Sequence, residues 1–178
     1  MSEIIVEKDG DYEIVNIFSL SNLNKNLVCE FFAIFSRFEF AMKECGKYKA
    51  PKSQDPKKDR VEPNWDELIN KLAPKLCLKT SGKLESAVRD LVGSPPKVQT
   101  YDLSFKNTKP SRPNDNYAEA ISLTRRVRNN LFHGGKHSEL SEAQKERDER
   151  LLRASIVVLT HCLINCQELR IDFETSKW

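Results

Sequence analysis

The sequence predicts an all-α protein, a bundle of four to five helices with long basic or proline-rich loops. Apolar residues recur at helical spacing in several segments, and cap-type residues precede these segments while glycines follow them. Two long connections, residues 46–63 and 93–114, are rich in lysine or proline instead. With 178 residues, of which 39% are hydrophobic, the chain fits one domain, 1–178, around one core.

The N-terminal third contains one strongly apolar helix. Residues 1–20 form a lead-in in which apolar and polar residues alternate weakly around the turn signal Asp9-Gly10-Asp11. This pattern fits either a short strand pair or irregular structure. The following helix begins at the cap-type residues Ser21 and Asn22 and stops at Gly46. Its apolar residues at helical spacing predict that it is buried; they are Val28, Phe31, Phe32, Phe35, Phe38 and Met42.

The middle of the chain alternates loops and short helices. Residues 46–63 have almost nothing to bury, so a solvated linker is favoured over an arm that contacts phosphates. Asn64 caps the next helix, and Pro74 bends or ends it. A third helix runs from about Gly82 to Leu91 and closes at Gly93. The prolines of 93–114 predict irregular structure there.

Two helices complete the bundle. One covers residues 114–134. The last and longest begins near Ser141 with the charged stretch "SEAQKERDER", which is expected to project into solvent, and continues into an apolar part that belongs in the core.

Composition points to a reduced cytoplasmic protein without a cofactor. The net charge is only +3, so any contact with nucleic acid depends on local clusters. Five scattered cysteines do not suggest a secreted disulfide framework, and the N-terminus does not resemble a signal peptide. The apolar runs are too short to cross a bilayer. A metal site at His161, Cys162 and Cys166 is disfavoured, because free cysteines in apolar helices are commonly just buried.

The segment "TRRVRNNLFHGGKH", Thr124 to His137, concentrates cations and amides. A core-facing stripe runs along its helix through Tyr117, Ala120, Ile121, Thr124, Val127 and Leu131. His133 lies roughly 160° from Leu131 and so faces away from the core. It also stands at a helix C-terminus, where the dipole favours a cation, with Gly134 as the glycine after the cap.

The other polar residues of this helix divide by angle. Arg126, Asn129, Asn130 and His133 form one polar ridge at spacings of three and four. Arg128 lies at the margin of the core stripe, either as a positioned functional cation or as a structural arginine paired with a carboxylate. Phe132, just outside the stripe, suits a protein interface, base stacking or a wide core.

Supporting residues come from nearby positions. Glu39 lies near the apolar face of the first helix, where a carboxylate needs a cationic partner. That partner is either Arg128 or Arg125 at the candidate site, or else Arg37 or Lys43 at the bundle edge. Lys136 is a candidate phosphate ligand through the Gly-Gly turn, and His137 is either an assistant at the site or loop surface.

These residues carry a family resemblance. "RNNLFH", Arg128 to His133, resembles the R-x(4–6)-H signature of HEPN domains, "VRNNLFHGGK" resembles their Apea-like and abortive-infection branches, and "FFAIFSRFEFAMK" resembles their first helix. The resemblance implies a single HEPN-like domain that dimerises around the motif and cleaves RNA without metal. It implies Arg128 and His133 as catalytic residues and Asn129 as their polar companion. Gly135 stands where related toxins often carry a tyrosine, which puts regulation through that tyrosine in doubt.

Two functions follow as hypotheses. The first is a metal-independent endoribonuclease in phage defence or toxin-like growth control, acting as a homodimer, with an antitoxin or defence-system protein as a candidate partner. Arg125, Arg126, Asn130 and Lys136 would then bind RNA. Histidine suits the proton transfers and arginine the developing phosphate charge. The second is a non-catalytic HEPN-like module that binds a nucleotide, RNA or a protein.

Overall fold

The computed structural model describes residues 3–8, 11–16, 23–52, 60–102, 104–132 and 141–175. A hairpin of β1 (Glu3–Lys8) and β2 (Asp11–Asn16) precedes the helices. The helices are α1 (Lys25–Glu44), α2 (Trp65–Leu78), α3 (Gly82–Gly93), α4 (Asn116–Phe132), α5 (Glu142–Ile164) and α6 (Gln167–Thr175). A short pair, β3 (Val98–Gln99) and β4 (Phe105–Lys106), lies between α3 and α4. The predicted all-α bundle is confirmed, with six helices in the described part instead of four to five.

One core joins the six helices. α5 contacts α1, α3, α4 and α6, and α4 also packs on α2 and α3. Large side chains from all six helices are fully buried in this core; they include Phe31, Phe38, Leu72, Leu91, Ile121, Leu152 and Leu169. Since each buried aliphatic or aromatic side chain contributes about 1.5–3 kcal/mol, this shared core stabilises the arrangement of the helices. None of the described helices combines the length and apolar character that a membrane span requires.

The first helix differs from its prediction in two respects. It begins at Lys25, because the Oδ1 atom of Asn24 accepts a hydrogen bond from the Leu27 amide at 3.1 Å; the predicted cap-type residues Ser21 and Asn22 lie outside the described residues. Phe32 is also 49% exposed rather than buried, since the core lies on the side of Phe31 and Phe35.

The second helix follows its predicted cap, and the third begins at Gly82 as predicted. Asn64 caps α2 through a 3.1 Å bond from the Glu67 amide, and Ser81 caps α3 through a 3.3 Å bond from the Leu84 amide. Pro74 does not end α2, which continues to Leu78. Proline has no amide hydrogen, so the Asn70 carbonyl lacks its usual helical donor.

Both long loops contain more structure than predicted. Tyr48, in the 46–63 loop, is only 3% exposed, and its carbonyl accepts the Asn64 amide at 2.6 Å, which closes the base of the loop. The prediction that this loop buries almost nothing is therefore wrong at its first turn. The 93–114 connection contains the β3–β4 pair in place of wholly irregular structure.

The charged start of α5 does not project into solvent along its whole length. Asp148 is buried, and Arg147 donates to the carbonyls of Ser94 at 3.3 Å and Pro95 at 2.6 Å. The prediction is wrong at these two residues because Arg147 donates to the two carbonyls that directly follow α3 and to the Asp148 carboxylate at 3.2 Å. The C-terminal half of α5 is core, as expected.

The five cysteines fall into two groups. Cys29 and Cys77 are exposed, whereas Cys45, Cys162 and Cys166 are buried thiols. Burial raises the pKa of Cys162 to about 12 and raises the pKa of Cys45 as well. The Tyr48 hydroxyl lies 3.4 Å from the Cys166 sulfur, so the loop after α1 is fastened to the junction of α5 and α6.

Candidate functional site

The candidate site is built on α4, whose start is firmly anchored. Asp115 accepts hydrogen bonds from the amides of Tyr117 at 3.0 Å and Ala118 at 2.9 Å, as a helix cap does. Glu119 is 2% exposed and accepts hydrogen bonds from the Ser111 hydroxyl at 2.7 Å and the Arg112 amide at 2.8 Å. These bonds fix the helix that carries the motif relative to the preceding connection.

The predicted core stripe of α4 is confirmed. Ala120, Ile121, Thr124 and Val127 are buried, and the Thr124 hydroxyl donates to the Ala120 carbonyl at 3.1 Å, so it is satisfied within the helix. Tyr117 and Leu131, at the ends of the stripe, pack against the core while remaining partly exposed. With this face buried, the rotation of α4 about its axis is fixed, and so are the directions of its arginines.

Two arginines of α4 lie on an aromatic stack formed by Phe35, Phe38 and Trp65. The Trp65 ring stacks on Phe35 with centroids 5.6 Å apart and on Phe38 at 5.8 Å. The Arg128 guanidinium lies 5.7 Å from the Phe35 ring centre, and the Arg125 guanidinium lies 5.3 Å from that of Trp65. Arg128 is half-buried, which agrees with its predicted place at the margin of the core stripe.

Glu39 supports this stack through Trp65. Its Oε1 atom accepts a hydrogen bond from the Trp65 indole nitrogen at 3.3 Å. Arg37, one of its expected partners, donates to the Phe173 carbonyl at 2.6 Å and lies over the Phe173 ring. Glu39 therefore orients the ring that Arg125 covers, a connection that the sequence did not suggest.

The polar ridge of α4 faces the 93–114 connection. Arg126 donates to the Thr108 hydroxyl at 2.9 Å, and the Asn130 side-chain amide donates to the Lys97 carbonyl at 2.7 Å. Asn129 is exposed, and its side-chain oxygen accepts a hydrogen bond from Arg128 at 3.2 Å. Thus Asn129 is a direct companion of Arg128, while Arg126 and Asn130 tie the connection to the helix.

The remaining predicted residues fall at the end of α4 or beyond it. Phe132 is the last residue of the helix, and its side chain is outside the described residues. His133, Lys136 and His137 also lie outside the described residues. Of the two proposed catalytic residues, the structure therefore describes Arg128 but not His133. It also describes Asn129 and the Phe35 ring, which both contact Arg128. Sequence reasoning missed Phe35 and Trp65 as supports, although the helical spacing of Phe35 and Phe38 had placed both in the core.

A cavity of about 360 Å³ lies at the other end of α4. Ile69, Ala73 and Pro74 of α2 line one side, and Arg112 and Ala118 contribute to the other. At 1.5 Å per residue, Ala118 is roughly 15 Å along the helix axis from Arg128. This cavity is therefore separate from the motif.

The chemistry of the described site is that of a held cation beside aromatic rings and amides. Within the described ranges, no three histidine, cysteine, aspartate or glutamate side chains come together as a metal site requires. Guanidinium groups positioned in this way suit an anion such as a phosphate. In comparisons with known proteins, no family model, no curated protein and no solved structure matches this chain.

Proposed function

We propose that the protein is a metal-independent endoribonuclease of the HEPN type, active in phage defence or toxin-like growth control. The observation that carries the proposal is the position of Arg128. Its guanidinium lies 5.7 Å from the Phe35 ring centre and donates a hydrogen bond to Asn129 at 3.2 Å, and in the sequence Arg128 stands five residues before His133.

The stacking of Arg128 supports a role in stabilising phosphate charge. A guanidinium over a ring face is held by the quadrupole of the ring and by the packing of its stem. The N–H donors of a guanidinium lie in its plane and point outward. Two of them can therefore donate hydrogen bonds to two oxygens of one phosphate. Asn129 fixes the rotation of this plane through its bond to Nη1.

The proposed reaction is an internal transesterification of RNA. A His133 imidazole takes the proton of the ribose 2′-hydroxyl as the 2′-oxygen attacks the phosphorus. The bond from phosphorus to the 5′-oxygen breaks, and an imidazolium gives the leaving 5′-oxygen its proton. Arg128 balances the negative charge that grows on the phosphate oxygens. The products are a 2′,3′-cyclic phosphate and a 5′-hydroxyl.

Two histidines are needed for these two proton transfers, and the proposal places one in each chain of a homodimer. Arg128 and His133 diverge by about 140° on an ideal helix. A phosphate between two copies of the α4 end can meet an arginine of one chain and histidines of both. Arg125, which lies over Trp65 on the same stack, adds positive charge for the neighbouring RNA backbone.

The non-catalytic module remains the alternative, and specific contacts favour it. Arg125 and Arg128 contribute to packing on the aromatic stack, and Arg126 and Asn130 hold the 93–114 connection. Four residues of the motif region thus have structural roles without any reaction. A helical module that binds RNA, a nucleotide or a protein would need no more than this.

The deciding experiment is incubation of the protein with total RNA in EDTA. Wild type is compared with Arg128→Ala, His133→Ala and the control Arg170→Ala, which removes an exposed arginine of α6 that lies 3.8 Å from the Glu174 carboxylate. Loss of a proton-transfer group lowers cleavage about 10²–10⁴-fold, and loss of a preorganised charge stabiliser lowers it about 10²–10³-fold. The control should cleave like wild type.

The products and the folded state complete the test. Wild type should leave 2′,3′-cyclic phosphates, and both site variants should keep their helical content in circular dichroism. Arg128→Ala removes the cation–π contact with Phe35, worth about 0.5–2 kcal/mol, and an exposed hydrogen bond to Asn129, so its melting temperature should fall by only a few degrees. Wild-type cleavage by both site variants would refute the ribonuclease proposal and leave the binding module. Cleavage that requires added magnesium would refute the metal-independent mechanism.

A further inference from the structure

The turn between β3 and β4 presents a tyrosine entirely to solvent. Tyr101 has 106% relative exposure, so no part of its ring is covered by the described protein. Among exposed apolar side chains, Leu78 at the end of α2 comes nearest, at 86%. An aromatic ring held outside the fold contributes nothing to the core and is available for stacking on a ligand.

The turn that carries Tyr101 is braced by its own side chains. The Asp102 carboxylate accepts hydrogen bonds from the Ser104 amide at 3.3 Å, from the Ser104 hydroxyl at 2.8 Å and from the Thr100 hydroxyl. The Thr100 amide donates to the Ser104 carbonyl at 2.8 Å. The hydroxyl donors of Thr100 and Ser104 lower the pKa of Asp102 below its usual range, because their hydrogen bonds favour the ionised carboxylate.

The stem of this hairpin is attached to the motif end of α4. Asn130 bonds to the Lys97 carbonyl at 2.7 Å, and Arg126 bonds to Thr108 at 2.9 Å. Tyr101 is four residues from Lys97, so its backbone is within roughly 14 Å of that anchor even when fully extended. Asn130 is itself two residues from Arg128. One short single strand can therefore contact both the hairpin tip and the motif.

Charge on the hairpin favours RNA over a protein as its ligand. Residues 97–112 contain Lys97, Lys106, Lys109 and Arg112 against the single carboxylate of Asp102. The three lysines are exposed. Lysine is depleted in the cores of protein interfaces, whereas lysine beside an exposed aromatic ring is the usual composition of a surface that binds single-stranded nucleic acid.

We propose that Tyr101 is a base-stacking site for single-stranded RNA, and that the β3–β4 hairpin presents an unpaired base beside the Arg128 motif. The lysines of the hairpin hold the adjacent phosphates. The nature of the ligand rests on the proposed ribonuclease function, but the stacking site itself needs no cleavage. Because stacking accepts every base, the hairpin selects unpaired RNA rather than a sequence.

The first test measures binding without cleavage. Fluorescence anisotropy follows end-labelled single-stranded RNA with His133→Ala as the parent, and Tyr101→Ala, Tyr101→Phe and Leu78→Ala are added to it. Stacking of one base is worth about 1–3 kcal/mol, so Tyr101→Ala should weaken binding about 5- to 150-fold. Tyr101→Phe keeps the ring and should bind like the parent. Leu78→Ala removes a comparably exposed apolar side chain far along the chain and should also bind like the parent.

The second test locates the stacked base. In a series of RNAs just long enough to fill the site in one register, each lacking one base, a single position should abolish the difference between the parent and Tyr101→Ala. The inference would be overturned if Tyr101→Ala and Leu78→Ala bound RNA equally well, or if the parent did not bind RNA. It would also be overturned if Tyr101→Ala weakened binding equally for every abasic RNA, or as much for duplex RNA as for single-stranded RNA. Tyrosine-dependent binding without cleavage by wild type would refute the ribonuclease alone, and cleavage without tyrosine dependence would refute the stacking site alone.

Discussion

At the scale of single residues, the Arg128 side chain has two separable functions in the proposal. Its stem and guanidinium pack over Phe35, and its donors act on the phosphate. The cation–π contact requires only a positive charge, whereas two simultaneous hydrogen bonds to a phosphate require the paired N–H donors of a guanidinium. Arginine and lysine therefore differ in the second function much more than in the first.

We expect Arg128→Lys to preserve the fold and lose cleavage. The ammonium can still lie over Phe35, so the melting temperature should stay close to that of wild type. Cleavage in EDTA should fall about 10²–10³-fold, because a point charge does not reproduce the bidentate fork. Arg170→Lys is the matched control. Initial rates on one labelled RNA give the comparison, and a fully active Arg128→Lys would show that charge alone suffices.

His161 makes stability depend on pH. Its Nε2 atom lies 3.5 Å from the hydroxyl of Ser81, the cap of α3, and burial lowers its pKa. In the pH range between the folded and unfolded pKa values, the unfolded chain binds more protons, so folding loses stability as the pH falls below about 6.5.

We therefore expect His161→Gln to lose less stability than wild type between pH 7 and pH 5. Glutamine keeps a polar side chain beside Ser81 without a titration in this range. Melting temperatures at both pH values, measured for the two proteins in one buffer series, give the comparison. Identical pH dependence in wild type and His161→Gln would mean that the imidazole titrates normally in the folded protein.

At the scale of elements, α2 shows how tertiary contacts override a helix breaker. Its buried residues Leu68, Leu72 and Leu76 lie on both sides of Pro74, and the helix continues through it. The sequence contains the breaker, but the contacts of α2 with α4 belong to the fold as a whole. Packing of the apolar face offsets the missing hydrogen bond.

Pro74→Ala should stabilise the protein. Alanine restores the amide donor to the Asn70 carbonyl and removes the ring, which together favour a helix by about 3 kcal/mol, while the freer unfolded chain offsets about 0.4–1 kcal/mol. Pro74 is exposed, so the change opens no hole in the core. Urea denaturation followed by circular dichroism should give a gain of about 2 kcal/mol. A lower midpoint for the variant would indicate that the proline shapes the cavity wall favourably.

The elements that could be predicted from the sequence are those in which apolar residues recur at helical spacing over several turns. The core stripe of α4, the caps Asn64 and Ser141 and the burial of Phe35 all follow from local patterns. The separate helix α6 was missed because neither glycine nor proline divides it from α5. The β3–β4 pair was missed because two-residue strands show no alternation.

For the candidate site, the sequence likewise predicted positions within one helix but not contacts between helices. The position of Arg128 at the margin of the stripe follows from helix angles alone. Its support by Phe35, and the support of Arg125 by Trp65, depend on contacts across many residues of sequence. No pattern within α4 shows which ring will lie beneath an arginine, so these contacts emerge only when α1, α2 and α4 are packed together.

At the scale of the whole molecule, the proposal requires two chains per site. Each chain contributes one motif histidine, and the two proton transfers need two. A chain without His133 but with Arg128 and its aromatic stack intact should still assemble with a wild-type chain. The mixed dimer would then lack one of the two proton-transfer groups.

We expect His133→Ala to inhibit wild type when the two are mixed. After subunit exchange with excess variant, cleavage per wild-type chain should fall, because most wild-type chains are in mixed dimers. RNA is kept in large excess so that competition for substrate does not contribute. Arg170→Ala in the same excess should cause no such loss. Unchanged activity per wild-type chain, or light scattering that shows only monomer, would contradict a composite site.

The uneven burial of the five cysteines gives the protein two natural attachment points for spectroscopic probes. Cys29 near the start of α1 and Cys77 near the end of α2 are exposed, while the three other thiols are buried. With its pKa raised to about 12, Cys162 hardly forms the reactive thiolate at neutral pH. A maleimide spin label should therefore modify the wild-type chain at two positions. Distances between labels on different chains would then report how two copies of the bundle face each other.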